Sequence, residues 1–201
     1  MSLPFCSGNY WFLEFPQRRF YHVHQTLKRF NLLRSVSLSL CLCKSATNET
    51  LAQISRNLKP LKFLKEVLLR FQYCSEITDV GLQSLSKCFK RLTLLRKIQL
   101  DFSGCQKLTE AGLQHLSKSL RKLGFLQTLN LCFDSCHQCK DKWLCILCET
   151  RERLPCLQRA YLSFWGCDRI TSRGEQRVKE TLRKHPSFEK FRDDFRFRLR
   201  G

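Results

Sequence analysis

Apolar residues recur along this chain with a constant 31-residue spacing. A column of cysteines shows the spacing most plainly, and columns of aliphatic residues keep the same step. The cysteine column is Cys43, Cys74, Cys105, Cys136 and Cys167, and one leucine column is Leu38, Leu69, Leu100, Leu131 and Leu162. Several columns in one register over five units indicate an internal repeat.

Each unit has two halves with different hydrophobic periods. The first half alternates, as at Val67, Leu69 and Phe71, which predicts a strand with one buried face. The second half has helical spacing, as at Leu82 and Leu85. We predict strands near 33–40, 64–71, 95–102, 126–133 and 157–164, prolonged by Phe71, Phe102, Phe133 and Phe164, each strand followed by a helix.

Turn residues between the halves contain signals for a helix start. Thr78 and Thr109 each precede an acidic residue, and a threonine side chain can accept a hydrogen bond from a free amide of the first turn. An acid at that position also suits the helix dipole. The sequence therefore predicts capped helices in register with the strands.

A single strand, turn and helix cannot bury its own apolar face, but stacked copies can. The expected fold is therefore an α/β solenoid of five 31-residue repeats, with parallel strands inside an arc and helices outside. We expect residues 30–185 to form the repeat domain. Residues 1–29 are interpreted as an incomplete N-terminal unit or cap, because Phe20, Val23 and Leu27 fall in the helix columns. Residues 186–201 are interpreted as a basic, aromatic cap or tail, with a short strand in 195–200.

The unit LRKIQLDFSGCQKLTEAGLQHLSKSL resembles the cysteine-containing class of leucine-rich repeats. These repeats belong to the ribonuclease-inhibitor-like superfamily and occur in many F-box substrate receptors. The resemblance covers about residues 30 to 185, and its unit is longer than the usual 20–29 residues. It implies a protein-binding role, as a substrate-recognition or scaffold subunit like those of ubiquitin ligases, although no F-box-like segment is found.

Composition narrows the cellular setting. No stretch approaches 18 consecutive apolar residues, so no membrane span is expected. Residues 1–15 lack a basic start and a long apolar run, so no secretory signal is expected. With 13 cysteines, an odd number, we expect reduced thiols in a cytoplasmic or nuclear protein.

Two CxxC pairs raise the alternative of a zinc site, because thiolates at this spacing are natural zinc ligands. They are Cys136 with Cys139, and Cys145 with Cys148. The repeat register argues against a shared site. It places Cys136 and Cys139 in the core, and it places Cys145 and Cys148, with Ser86 and Ser117, on the outside. We therefore predict no metal and no other cofactor.

No catalytic motif is found in the sequence. The five histidines have no partner spacing, and no phosphate-binding loop or nucleophile elbow is present. Asp193 and Asp194 are adjacent but lie in a basic tail. We predict that the chain is not an enzyme.

The strand positions between the buried ones give the candidate binding face. Tyr161 and Trp165 are residue types that make interface hot spots. The predicted partner-binding residues are Arg70, Lys97, Gln99, Asp101, Asn130, Asp134, Arg159, Tyr161 and Trp165. We expect a protein partner bound by a monomer.

Net charge supplies a second hypothesis. The chain carries a formal charge of +19, most of it outside the candidate face. A basic protein could dock on nucleic acid or an anionic membrane through helix edges and the tail. Helix-end complementarity and solubility would also account for these bases.

Overall fold

The computed structural model describes residues 5–7, 10–14, 32–183 and 195–198. Within these ranges the chain forms eight strands and five helices, which alternate from β3 onward. The strands are β1 (Phe5–Ser7), β2 (Tyr10–Glu14), β3 (Ser35–Ser39), β4 (Glu66–Arg70), β5 (Lys97–Asp101), β6 (Thr128–Cys132), β7 (Arg159–Ser163) and β8 (Phe195–Arg198). The helices are α1 (Asn48–Leu58), α2 (Asp79–Phe89), α3 (Glu110–Leu120), α4 (Asp141–Glu152) and α5 (Ser172–Arg183).

All eight strands form one sheet in chain order. Strands β2 to β8 are parallel, and β1 pairs antiparallel with β2. From β3 to β7 each residue pairs with its counterpart in the next repeat, as Leu69 pairs with Leu100. The five predicted strands and their helices are confirmed. Among the described residues no helix combines the length and apolar character needed to cross a bilayer.

The repeat strands are shorter than predicted. They end one residue before the phenylalanine column, so Phe71 and its counterparts do not prolong them. Backbone pairing nevertheless continues past the strand, since the Phe71 N–H bonds to the Asp101 carbonyl at 2.7 Å. The chain then turns, and the ring is fully buried among apolar side chains.

The two ends of the sheet depart from the spacing of the repeat. Tyr10 of β2 pairs with Ser35, which is a shorter interval than the repeat, and Ala160 of β7 pairs with Phe195, which is a longer one. The prediction of a strand in 195–200 is confirmed for 195–198. Phe20, Val23 and Leu27, which were assigned to helix columns, lie outside the described residues.

Stacked phenylalanines form the centre of the core. Phe71, Phe102, Phe133 and Phe164 are fully buried, with neighbouring ring centroids 5.5 to 6.0 Å apart and planes within 15° of parallel. Burial of one such ring stabilises the fold by about 1.5–3 kcal/mol. Because the rings are one unit apart, they tie neighbouring repeats together rather than stabilising each repeat alone.

The cysteine column links the turns of successive units. The thiols of Cys74, Cys105, Cys136 and Cys167 donate to backbone carbonyls of the preceding unit at 2.9, 3.1, 3.3 and 3.1 Å. A cysteine suits this position because it is small, apolar and able to donate weakly. Burial raises the pKa of Cys74 to about 11, so this thiol stays protonated as the donor at neutral pH.

Helix starts are also linked from unit to unit. Thr78 and Thr109 cap α2 and α3 by accepting hydrogen bonds from the N–H groups of Val80 and Ala111, as predicted. In addition, the Asn48 carboxamide accepts the Thr78 N–H at 2.9 Å. The helices stack closely because glycines stand at the crossing points, as at Gly112.

The fourth unit breaks this pattern. Lys140 replaces the capping threonine, and Trp143 stands in the column of Gly81 and Gly112. The Trp143 ring is fully buried and meets Phe133 and Phe164 edge-on, at centroid distances of 5.1 and 6.3 Å. The indole therefore fills the space between the sheet and α4 directly behind β7.

Candidate functional site

The candidate site lies on the inner face, which we define as the sheet face turned away from the helices. The parallel register sorts its residues into rows that cross the strands. The first row is Glu66, Lys97, Thr128 and Arg159; the second is Leu68, Gln99, Asn130 and Tyr161; the third is Arg70, Asp101, Cys132 and Ser163. Neighbouring strands are about 4.8 Å apart, so side chains within one row are adjacent.

Predicted site residues occupy this face at different depths. Arg70, Arg159 and Trp165 are exposed. The half-buried members are Lys97, Gln99, Asp101, Asn130, Asp134 and Tyr161. The alternation predicted for the strands therefore holds at every one of these positions, and none of them is fully buried.

Side chains of opposite charge are neighbours in the first and third rows. Glu66 pairs in register with Lys97, and Arg70 pairs with Asp101. Arg159 closes the first row beside Thr128. Acids and bases are both present on β4 to β7, and β8 adds two arginines in register with Tyr161 and Ser163, so the face can orient a partner by complementary charge.

Asp101 has a positioning role in the structure. Its carboxylate accepts a hydrogen bond from the Gln72 amide at 2.7 Å and two from Ser103, from the N–H at 3.0 Å and the hydroxyl at 2.7 Å. These bonds hold the turn after β5. The sequence predicted Asp101 as a contact residue. It did not predict these hydrogen bonds, because they depend on side-chain geometry.

Asp134 fixes the backbone at Trp165. One carboxylate oxygen accepts the Ser163 hydroxyl at 2.6 Å and the Trp165 N–H at 2.8 Å. The bond holds the chain immediately after β7 in place, while 41% of Trp165 remains exposed. An indole on a backbone fixed in this way loses less conformational freedom on binding than one on a mobile loop.

Strand β7 is followed in the sheet by β8, the strand predicted within 195–200. Tyr161 lies between Asn130 and Arg196 in register, and Ser163 pairs with Arg198. Ser163, in the third row of the inner face, is fully buried. Its hydroxyl is used in the bond to Asp134, so the usable surface at β7 consists of Arg159, Tyr161 and Trp165.

Cys132 is the thiol on this face. Burial raises its pKa to about 12, and the carboxylates of Asp101 and Asp134 add to the shift. A thiol with this pKa is protonated at neutral pH and is a poor nucleophile. Cys132 therefore contributes polarizable surface and no reactive group.

The two CxxC pairs occupy different environments. Cys136 and Cys139 lie buried in the turn after β6, and burial strongly raises the pKa of Cys139. Cys148 was predicted to face outward with Ser86 and Ser117, and this was wrong: all three are buried. The reason is that this column faces the neighbouring helices, and its serine hydroxyls bond to other groups of the helix layer, as Ser86 does to the Leu82 carbonyl at 2.8 Å. Within the described residues no three His, Cys, Asp or Glu side chains are grouped to hold a metal ion.

Comparison with known proteins identifies the fold. No family model and no curated protein matches the chain. The chain is similar to the solved structure titled Leiomodin-1 Actin-Binding Site 2 (ABS2), with a TM-score of 0.58 and 16% sequence identity, over 84% of this chain and 91% of that one. This likeness, with the parallel strands and alternating helices, shows a leucine-rich-repeat solenoid of α/β class.

Proposed function

We propose that this leucine-rich-repeat solenoid is a non-catalytic module that binds a protein partner on its inner face. The observation that carries the proposal is the arrangement at β7. Trp165 is exposed on a backbone held by Asp134 just after β7, and Tyr161 and Arg159 lie on β7 itself. Tryptophan, tyrosine and arginine are the residue types most enriched in interface hot spots.

The rest of the face supplies orientation in this proposal. The predicted contact residues Arg70, Lys97, Gln99 and Asn130 offer hydrogen-bond donors and acceptors and positive charge around the β7 anchors. Asp101 and Asp134 are proposed to act through the turns that they hold. Repeat arcs present extended surfaces of this kind to large ligands. The leiomodin-1 structure of similar fold is titled as an actin-binding site, and actin is a protein.

Further assignments belong to the same proposal. We place the repeats in the cysteine-containing, ribonuclease-inhibitor-like class, supported by the thiol-to-carbonyl ladder. We propose that residues 1–29 and 186–201 cap the repeat domain of residues 30–185, supported by β2 and β8 at the two sides of the repeat strands. The chain would act as a monomeric recognition or scaffold subunit in the cytoplasm or nucleus, where its described cysteines, all free thiols, stay reduced.

Substitution at β7 tests the proposal. Trp165→Ala should weaken partner capture by about 30-fold, the equivalent of a hot spot of about 2 kcal/mol, in quantitative affinity capture. The melting temperature should change little, because Trp165 is partly exposed. Val80→Ala is a matched control, since Val80 is an exposed apolar residue on α2. Unchanged capture together with a drop of several degrees in melting temperature would assign Trp165 to packing against the proposed C-terminal cap, and the binding site would lie elsewhere.

A further inference from the structure

A second column of apolar residues is exposed, and it lies at the opposite end of the strands from Trp165. Leu32, Phe63, Leu94 and Phe125 keep the spacing of the repeat, and their exposed fractions are 66%, 53%, 39% and 57%. The sequence contained this column, but apolar residues at constant spacing were assigned to the core. A single exposed apolar side chain is ordinary, whereas an aligned series makes a patch.

Local geometry explains why these residues point to water. In each unit a tight turn joins the helix to the next strand, closed by bonds from Leu64 N–H to the Leu61 carbonyl at 3.1 Å and from Leu126 N–H to the Leu123 carbonyl at 3.1 Å. The leucines at both ends of each turn are buried. The two central residues must therefore face solvent. The fold does not require a large apolar residue at these central positions, since other turns have Gly124 or Cys156 there.

Three of these turns concentrate positive charge, whereas the fourth, at 152–158, contains one base and one acid. Segments 59–65, 90–96 and 121–127 contain eight basic residues and no acidic residue. All eight are exposed or half-buried: Lys59, Lys62, Lys65, Lys90, Arg91, Arg96, Arg121 and Lys122. Among the described residues, these segments form one ion pair, between the Arg121 guanidinium and the Glu149 carboxylate at 3.1 Å.

The opposite edge of the sheet has no such excess. The strand-to-helix turns 71–78, 102–109, 133–140 and 164–171 contain three basic and three acidic residues. One of these bases, Lys107, pairs with Glu76 at 2.9 Å. Helix-end complementarity cannot by itself explain an apolar residue beside the bases in successive turns. The edge formed by segments 59–65, 90–96 and 121–127, which we call the turn ridge, therefore combines charge with exposed apolar side chains.

The shape of the turn ridge favours a flat partner. The strands pair without a stagger, so the backbone positions before each strand are level, as shown by the bonds from Lys65 N–H to Arg34 O at 2.7 Å and from Arg96 N–H to Lys65 O at 2.7 Å. With strands about 4.8 Å apart, Phe63, Leu94 and Phe125 span about 10 Å at one level. A planar surface can meet all three at once.

We propose that the turn ridge docks on an anionic lipid bilayer, with Phe63, Leu94 and Phe125 entering the interface and the surrounding lysines and arginines meeting acidic headgroups. Apolar side chains flanked by bases bind such surfaces through apolar burial and electrostatic attraction together. Leucine partitions into lipid as phenylalanine does but does not stack on nucleic-acid bases, so the mixed column favours lipid over single-stranded RNA. This inference does not depend on the inner face.

Cosedimentation of the full chain with vesicles tests the proposal. We expect binding to phosphatidylcholine vesicles with roughly one-third phosphatidylserine, and little binding to phosphatidylcholine alone. Phe63→Ser/Phe125→Ser should lower the partition coefficient by about 30-fold. The control Val80→Ser, an exposed apolar position on α2, should leave it within about twofold.

A charge-matched pair separates the turn ridge from general attraction. Lys62→Glu/Lys122→Glu should lower binding by about 100-fold. Lys44→Glu/Lys140→Glu changes the net charge equally in exposed strand-to-helix turns at the opposite edge and should have a much smaller effect. Equal losses for the two charge pairs, or no binding of the unaltered chain to acidic vesicles, would overturn the proposal. So would tight binding of a single-stranded oligoribonucleotide that Phe63→Ser/Phe125→Ser weakens, with vesicle binding unchanged.

Discussion

The carboxylate of Asp79 in one repeat accepts two hydrogen bonds from Thr109 of the next repeat, from the N–H at 2.8 Å and from the hydroxyl at 2.5 Å. Thr109 in turn caps α3 by accepting from Ala111. Asp141 and Thr171 repeat the arrangement two units later. The start of each of these helices is thereby set by the unit before it.

Removal of the Asp79 carboxylate should therefore weaken the joint between units. Asp79→Ala should lower the free energy of unfolding by about 1–2 kcal/mol, because the cap and the N–H of Thr109 lose their acceptor. Asp79→Asn should cost about 0.5 kcal/mol, since Asn48 performs the same role for Thr78 with a carboxamide. Urea denaturation measures both. A double cycle with Thr109→Ala that shows no coupling would contradict this account.

Glycine at the helix crossing gives a second prediction. A Cβ added at Gly112 would overlap the carboxylate of Asp79 and a methyl of Leu82, whereas one added at Gly124 meets nothing within 4 Å. Gly112→Ala should therefore destabilise the fold by about 1–3 kcal/mol through overpacking. Gly124→Ala should change stability by less than about 0.5 kcal/mol. Equal effects in thermal denaturation would show that the helices are not in close contact at Gly112.

Thiol chemistry gives a prediction with a defined pH dependence. The pKa of Cys132 is raised to about 12 by burial and by Asp101 and Asp134, so the protonated thiol is favoured in the folded state. Alkylation of Cys132 should be slow at about pH 8 and should rise with pH up to about 12, because only the thiolate reacts. The exposed thiols of Cys41 and Cys156 should be modified first.

The same shift has a consequence for stability. A thiol whose folded pKa exceeds its unfolded value stabilises the fold below the unfolded pKa, near 9. That contribution is lost as the pH rises from there toward about 12. Rapid alkylation of Cys132 near pH 8 in the folded protein, with peptides identified by mass spectrometry, would contradict the assignment.

Much of the fold follows from the repeat columns. They predict the placement of the five repeat strands, because residues of one column occupy the same structural position in every repeat. Leu100 is one example: it was assigned to the central strand and is almost fully buried there. The cysteine column is another, because its constant step places each thiol against a backbone carbonyl of the preceding unit.

Features outside the columns could not be predicted in this way. The step from β2 to β3 is shorter than the repeat and the step from β7 to β8 is longer, so neither end strand falls in register with it. The sequence did not predict the burial of Cys148. Its column contains the polar residues Ser86 and Ser117, which suggested an exposed position, but contact between neighbouring helices covers the column. The roles of Asp101 and Asp134 depend on rotamers and on partners in neighbouring repeats.

The central claim, that the inner face binds a protein, is tested most directly by site-specific photo-crosslinking in cells. A benzophenone amino acid would replace Gln99 or Tyr161 on the inner face, and Val80 on α2 would serve as the control position. The account predicts an adduct with the same partner from Gln99 and Tyr161, lost on Trp165→Ala, and no such adduct from Val80. An adduct that forms from Val80 but from neither inner-face position would contradict it.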